Sequence, residues 1–300
     1  MRILVTGASG FIGWPVVNRL ISEEHNVLAL SRSMPEEADT VDIKWLKADL
    51  ADPASYLDVI RSFAPELVVH LAWHGIPDYS FKISRANLEQ SLDLLSFVAE
   101  LGSCRKILVP GSCWELNRLT GECLETETGT PNDYFTWAKH ALRSWLEVNC
   151  KRKGINLGWM RFFYVYGPRQ RATSLIPSIL CAFKEEKIPD IRTPGNSNDF
   201  IFVDDVAQAI CLAVNRKIPD GIYNLGSGVS TPVLDICRIA EKIVLGSKGL
   251  TKKLEGKIRP GHRQVDFWAD LKRSKNVLGW TPTTSLEVGI LRTLEWIQQS

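Results

Sequence analysis

Thr6-Gly7-Ala8-Ser9-Gly10-Phe11-Ile12-Gly13 sets three glycines between an apolar run, Arg2-Ile3-Leu4-Val5, and an amphipathic stretch that opens at Gly13. Glycine permits a tight turn and lets backbone amides approach a pyrophosphate, and a helix N-terminus adds N–H donors and the positive end of its dipole. In a strand–turn–helix setting this spacing is a dinucleotide fingerprint, with Gly7, Ser9, Gly10, Phe11, Ile12 and Gly13 as the contacts. The second apolar run ends at Leu30-Ser31-Arg32-Ser33. A free ribose 2′-hydroxyl calls for Asp or Glu there, and a 2′-phosphate for a cation. No carboxylate stands at these positions, and a guanidinium can grip a phosphate through two N–H donors. Ser31 and Arg32 therefore point to NADP, with NAD as the alternative.

Other reactive side chains offer less. The seven cysteines (Cys104, Cys113, Cys123, Cys150, Cys181, Cys211 and Cys237) are odd in number and widely spaced, without a C-x-x-C pair. That fits neither a disulfide framework nor a zinc site. His70 and His74 have the spacing of a metal pair on a helix. They flank the end of an apolar strand-like run instead, where a two-residue period separates them, so no metal site is expected. Lys and Arg total 36 against 34 Asp and Glu, a net charge of +2. No basic field points to nucleic acid or an anionic membrane. No apolar run approaches the roughly 18–20 residues that span a bilayer, and the N-terminus lacks the pattern of a secretory signal. A cytoplasmic protein is expected.

The elements that must position these groups follow from periodicity. Short apolar runs at Arg2–Val5, Val27–Leu30, Ile43–Leu46, Leu67–Leu71 and Lys106–Val109 alternate with amphipathic stretches at Gly13–Glu23, Ser55–Phe63 and Arg85–Leu101. Near-continuous apolar strands separated by helices signify a parallel sheet covered on both faces. Right-handed crossovers then leave an α/β, doubly wound (Rossmann) fold. Further on, Phe135–Arg152 reads as a helix, Leu157–Phe162 as a strand, Val203–Val214 as a helix and Ile222–Leu225 as a strand. Residues 1–169 are expected to form the dinucleotide-binding domain, with 199–226 returning to it. Residues 170–198 and 227–300 would form a smaller, discontinuous substrate-binding lobe, with the ligand between the two.

Taken in order, the motifs resemble the extended short-chain dehydrogenase/reductase superfamily, in its nucleotide-sugar epimerase/dehydratase/reductase branch. Besides the glycine loop there are Ala48-Asp49-Leu50-Ala51-Asp52, His70-Leu71-Ala72-Trp73, Asn87, Gly111-Ser112 and Tyr166-Gly167-Pro168-Arg169. Phe202-Val203-Asp204-Asp205-Val206, Tyr223-Asn224-Leu225-Gly226-Ser227-Gly228 and Leu278-Gly279-Trp280-Thr281-Pro282 continue the series nearly to the C-terminus. The resemblance implies cofactor contacts at Asp49, Leu50, Leu71, Ala72, Trp73 and Lys139, and an active-site serine at Ser112. His70–Trp73 and Arg161–Pro168 look most like the reductases of 4-keto-6-deoxy nucleotide sugars, such as the CDP-abequose synthases.

One departure bears on the chemistry. In that family a tyrosine stands four residues before the lysine on one helix, and its phenol exchanges a proton with the substrate oxygen. Lys139 is present, but the position four before it is Phe135, which has no proton to give. Tyr134 is adjacent, about 100° around a helix, and is the low-ranked substitute. Tyr164, Cys113 or water are other donors. An engineered Tyr→Phe change and a chain that only binds its ligands are the remaining explanations.

For the substrate, the resemblance implies a nucleotide sugar whose diphosphate is gripped by arginines. Arg259 is the first candidate, and Arg169 and Arg192 follow. Asn198-Asp199-Phe200-Ile201-Phe202-Val203 lacks the basic groups of the family's corresponding motif, which argues for an unusual sugar pocket. Trp73, Trp114 and Trp137 are expected to face it, and Trp159, Trp280 and Trp296 to lie in the core. A homodimer is expected by resemblance, with Leu88, Leu92, Leu95 and Val98 on one helix and Leu142, Trp145 and Leu146 on another as candidate stripes.

Overall fold

The computed structural model describes residues 1–35, 43–246, 248–256 and 265–299. Seven parallel strands form the main sheet: β1 (Arg2–Thr6), β2 (Asn26–Ser31), β3 (Lys44–Lys47), β4 (Leu67–His70), β5 (Lys106–Ser112), β7 (Asn156–Phe162) and β11 (Gly221–Leu225). Their spatial order is β11-β7-β5-β4-β1-β2-β3. The order reverses between β1 and β4, the point at which a doubly wound sheet opens a crevice at its carboxyl edge. β1 shows why such strands read as unbroken apolar runs. Ile3 and Val5 pack on one face with Val16, Val17 and Leu20 of α1 (Gly13–Ser22) and Ala209 and Ile210 of α6 (Val203–Asn215). Leu4 faces the other way, among residues of α2 (Leu57–Phe63), α3 (Phe81–Glu100) and α4 (Tyr134–Lys153). With both faces covered, alternate residues are buried on opposite sides, each large side chain contributing about 1.5–3 kcal/mol.

The stripes on α3 and α4 belong to this packing. Leu88, Leu95, Val98, Leu142 and Leu146 are buried in the cluster beneath the sheet. They therefore give no argument for contact with a second copy of the chain.

Two smaller sheets flank the crevice. β8 (Tyr164–Tyr166) pairs in parallel with β10 (Phe200–Phe202). A four-stranded sheet runs β12 (Thr231–Pro232), β9 (Ser197–Asn198), β13 (Asp266–Ala269), β6 (Thr120–Cys123). β6 thus sits with the smaller sheet although it lies within the first 169 residues. Asp199 is fully buried and ties these pieces together. Its carboxylate accepts from Ser227 Oγ at 2.7 Å and from the backbone N–H groups of Gly228 and Ala269, each at 3.0 Å. α5 (Leu175–Lys184), α7 (Val233–Leu245) and α9 (Leu286–Gln299) share a third apolar cluster with Tyr166 and Phe202. Trp159 and Trp280 are core residues, each 1% exposed. Trp296 is half-buried. Among the described residues no helix is long and apolar enough to cross a membrane.

Candidate active site

The glycine loop leaves the end of β1 with Gly7 in the left-handed region, at φ +66°. A Cβ at Gly13 would fall 2.1 Å from the Gly7 carbonyl oxygen. The loop folds this tightly on itself only because Gly13 has no side chain. α1 then begins without a side-chain cap. In its first turn Trp14 N–H donates to the Gly10 carbonyl at 2.9 Å and Pro15 has no N–H, so this end offers an anion the helix dipole and the amides of the glycine loop before it. Against this end lies a cavity of about 830 Å³. All the expected cofactor residues line it: Gly7, Ser9, Gly10, Phe11, Ile12, Gly13, Ser31, Arg32, Asp49, Leu50, Leu71, Ala72, Trp73 and Lys139. The Ser9 and Ser31 hydroxyls hydrogen-bond to each other, joining the loop to the end of β2. The uncapped helix end, the crowding at Gly13 and the shape of this wall fit a dinucleotide.

A buried relay fixes the segment after β4. Ser91 Oγ donates to the Asn87 carbonyl at 2.6 Å, so its lone pair is what meets His70 Nε2 at 3.0 Å. His70 therefore carries its proton on Nε2, and Nδ1 accepts from Thr6 Oγ1 at 2.9 Å. Thr6 Oγ1 in turn accepts the Ala72 N–H at 3.2 Å. Burial, aided by the nearby charge of Lys139, lowers the His70 pKa to about 3 and keeps the ring neutral. On the other side of Trp73, the Asn87 amide accepts the His74 N–H at 2.8 Å and donates to the His74 carbonyl at 3.0 Å. The backbone is thus held on both sides of Trp73.

Ser112 ends β5 at the cavity wall. Its N–H donates to Glu115 Oε1 at 2.7 Å, and its hydroxyl oxygen accepts the Trp114 N–H at 3.2 Å. That leaves the hydroxyl proton for a ligand oxygen. Glu115 is 1% exposed and also accepts from Trp159 Nε1 at 3.0 Å, with Arg143 Nη1 at 3.6 Å. A Cβ at Gly111 would lie 2.1 Å from Trp159 Nε1, so glycine there is what lets this buried pair form.

Lys139 Nζ donates to the Pro110 carbonyl at 3.0 Å and lies 3.7 Å from the centre of the Trp73 ring. Burial lowers its pKa to about 7 against the opposing pull of Glu115. The ammonium is shared between a carbonyl dipole and a ring face, both of which favour its charge.

The start of α4 decides which aromatic enters the site. Asp133 caps it, accepting the Thr136 N–H at 2.7 Å. From that start Phe135 turns inward, 7% exposed, while Tyr134 turns outward, 54% exposed, against Phe81 at 5.3 Å. Phe135 lines the cavity and Tyr134 does not. Trp137 is likewise turned outward, its ring 6.0 Å from that of Phe81. The expectation that it faces the cleft fails because it lies two residues, about 200°, beyond Phe135 on the helix. Trp73 and Trp114 do line the cavity.

Tyr79 completes the aromatic wall and was not anticipated. It lies in the loop before α3, with ring centres 5.2 Å from Phe135 and 5.8 Å from Trp114. Neither periodicity nor a motif marks it in the sequence. Tyr164 lines the cavity while packing on Phe200 and Phe267, and deep burial raises its pKa. Cys113 is buried away from the lining, and burial pushes its thiol pKa well up.

Of the expected diphosphate arginines, none of those described reaches the lining. Arg169 sits in the left-handed region at φ +67°, with its guanidinium 4.6 Å from the centre of the Trp14 ring. Arg192 is exposed beyond α5. Arg259 lies outside the described residues. The turn at Arg169 brings Arg171 to the cavity instead, where it donates to the Ile76 carbonyl.

The chain matches the NAD dependent epimerase/dehydratase family over residues 3–226. It is 24% identical over 318 residues to a UDP-glucuronate 4-epimerase of Thermodesulfobacterium geofontis, covering 99% of this chain and 96% of that one. A probable dTDP-glucose 4,6-dehydratase of Sinorhizobium fredii is 26% identical over 328 residues, covering 99% and 92%. Among solved structures, the UDP-glucuronic acid 4-epimerase of Bacillus cereus in complex with NAD superposes with a TM-score of 0.86 at 22% identity, covering 100% of this chain and 97% of that one. A tyrosine-to-phenylalanine mutant of the B. cereus enzyme, bound to UDP-4-deoxy-4-fluoro-glucuronic acid and NAD, gives 0.84 at 23%, covering 100% and 99%. With the family matching the whole span from β1 to β11, the chain belongs to the NAD dependent epimerase/dehydratase family of the extended short-chain dehydrogenase/reductases.

Proposed function

We propose that the chain is an NADP(H)-dependent oxidoreductase acting on a nucleotide sugar, and that it reduces the ketone of a 4-keto-6-deoxy sugar. The observation that carries this reading is that the glycine loop, Ser112 and Lys139 line one cavity. A reduced nicotinamide dinucleotide supplies hydride when bound. Ser112 offers its hydroxyl proton to the ketone oxygen and polarises it, and Glu115 holds the Ser112 backbone in place. Lys139, with a pKa of about 7, keeps part of its positive charge at neutral pH beside the reacting groups. Ser31 and Arg32 line the same cavity with no carboxylate at residues 31–33, which favours a 2′-phosphate.

Phe135 bears on where the proton of the reaction comes from. We read it as standing where the family's tyrosine would be. The group that gives a proton to the ketone oxygen in reduction takes it back in oxidation, so a phenylalanine there leaves the proton in either direction to another group or to water. The second reading, epimerisation or dehydration with NAD, is favoured by the names of the relatives, which include 4-epimerases and 4,6-dehydratases. A homodimer carries over with the family, and sedimentation velocity tests it.

The test follows NADPH and NADH oxidation with 4-keto-6-deoxy sugars carried on CDP, dTDP and UDP. In parallel, UDP-glucose, UDP-glucuronate and dTDP-glucose are incubated with NAD. Consumption of NADPH by a keto sugar is the expected result. Conversion of the second set without net cofactor consumption would establish the alternative, and binding of neither dinucleotide would overturn both.

A further inference from the structure

We propose that Tyr79 is the proton donor of this site, filling from a neighbouring loop the role that Phe135 cannot. This rests on the ketone-reductase reading above. The Phe135 ring is in contact with Tyr79 at 5.2 Å and lies 5.9 Å from Lys139 Nζ. Tyr79 also meets Trp114, two residues beyond Ser112. A hydroxyl-bearing ring therefore leans on the two aromatics that stand beside Lys139 and Ser112, and it lines the same cavity. The other phenols and the thiol are placed less well. Tyr134 faces outward, Tyr164 is packed between Phe200 and Phe267, and Cys113 is off the lining.

The charged surroundings suit an acid. Burial raises the Tyr79 pKa, Asp133 adds to the rise, and Arg171 opposes it. Lys139 lies on the Phe135 side, its Nζ 5.9 Å from the centre of that ring. The phenol is thus protonated at neutral pH, as ketone reduction requires. In the step, hydride passes from the reduced nicotinamide to the carbonyl carbon, and the C=O π bond opens. The Tyr79 O–H proton passes to the carbonyl oxygen. The products are the sugar alcohol, oxidised dinucleotide and the Tyr79 phenolate. Tyr79 is half-buried in the cavity lining and regains a proton from water.

The test compares the full-length chain with Tyr79→Phe, Phe135→Tyr and the double variant, using NADPH and the panel of 4-keto-6-deoxy nucleotide sugars. Tyr79→Phe keeps the ring and its packing. It is expected to lower kcat by about 10²–10⁴-fold, with KM and NADPH affinity held within about threefold. The part of the wild-type fall in kcat that comes from ionisation of the phenol should disappear in this variant, while the part that follows loss of the Lys139 charge, from about pH 7, remains. Adding Phe135→Tyr should recover at least about tenfold. The assignment is overturned if Tyr79→Phe keeps more than about a third of kcat. It is also overturned if the loss comes with an equal loss of NADPH affinity or a lowered Tm, which would mark a packing role. If wild type and Phe135→Tyr both bind NADPH yet reduce no ketone of the panel, the reductase reading itself fails and takes the assignment with it.

Discussion

Along β1, β2 and β4 the cavity wall combines the glycines of the loop and the hydroxyls of Ser9, Ser31 and Ser33 with Phe11, Ile12, Leu30, Arg32 and Leu71. Its other wall is built from the rings of Trp73, Tyr79, Trp114, Phe135 and Tyr164. The first wall is held from behind by the relay Ala72–Thr6–His70–Ser91–Asn87, in which each buried polar atom has a partner. The second is held by ring contacts at 5.2–5.8 Å among Trp73, Tyr79, Trp114 and Phe135. A hydrogen-bonded wall is specific in geometry and intolerant of an added atom. A ring-packed wall is specific in shape but can change its chemistry by a single hydroxyl, because Phe and Tyr fill nearly the same space. On the proposed reading of the site, this is how the glycine-loop wall can keep its pattern while the ring-packed wall carries phenylalanine at residue 135.

The comparison is most exposed at Gly13. Gly13→Ala puts a methyl 2.1 Å from the Gly7 oxygen, and the loop must open. Dinucleotide affinity should fall by at least about 100-fold, or about 2.7 kcal/mol, measured by isothermal titration. An affinity within about threefold of wild type would break the claim that this wall cannot absorb an atom.

The next effect is on stability. The native His70 imidazole has its pKa lowered to about 3 by burial, whereas in the unfolded chain it titrates near its ordinary value of 6.5. Between those values the unfolded state binds a proton that the native state does not. The stabilisation is complete above about pH 6.5 and is lost as pH falls, at about 1.4 kcal/mol per pH unit. Urea unfolding at a series of pH values should show His70→Gln to be less stable at pH 7 but less sensitive to acid. A parallel acid limb in both proteins would sever the link between the relay and the stability of the wall.

The smallest effect is expected at Tyr134. Its side chain faces outward on the surface of α4, 54% exposed, so Tyr134→Phe should leave kcat within about twofold. A loss of tenfold or more would show that the outward ring reaches the reacting oxygen, and would sharpen the comparison by moving the acid to α4.

Much of the wall around the glycine loop was legible as one surface because its residues follow one another in the chain. The glycine loop, Ser31-Arg32, Asp49-Leu50 and Leu71-Ala72-Trp73 are short segments at the carboxyl ends of β1, β2, β3 and β4, so strand periodicity and local motifs locate them. Lys139 and Phe135 are legible as a helical pair for the same reason. The ring-packed wall assembles residues 73, 79, 114, 135 and 164 from separate parts of the chain, of which Tyr79 sits in the loop before α3 without a period or motif to read. The arginines illustrate the difference. Tyr166-Gly167-Pro168-Arg169 draws attention to Arg169, but the left-handed backbone at that residue sends its side chain to Trp14 and brings Arg171 to the cavity.

The amino-acid sequence by itself determined the alternating strands and helices, the tight turn at the glycines, and a phenylalanine and a lysine four residues apart on one helix at Phe135 and Lys139. These depend on backbone sterics, periodic burial and the chemistry of single side chains. Only the tertiary structure decided that Tyr134 points away, that Tyr79 leans on Phe135, and that the α3 and α4 stripes are consumed by the sheet. Those outcomes depend on where a helix starts and on which distant loop packs against it. They are set by the close packing of side chains brought together from across the chain.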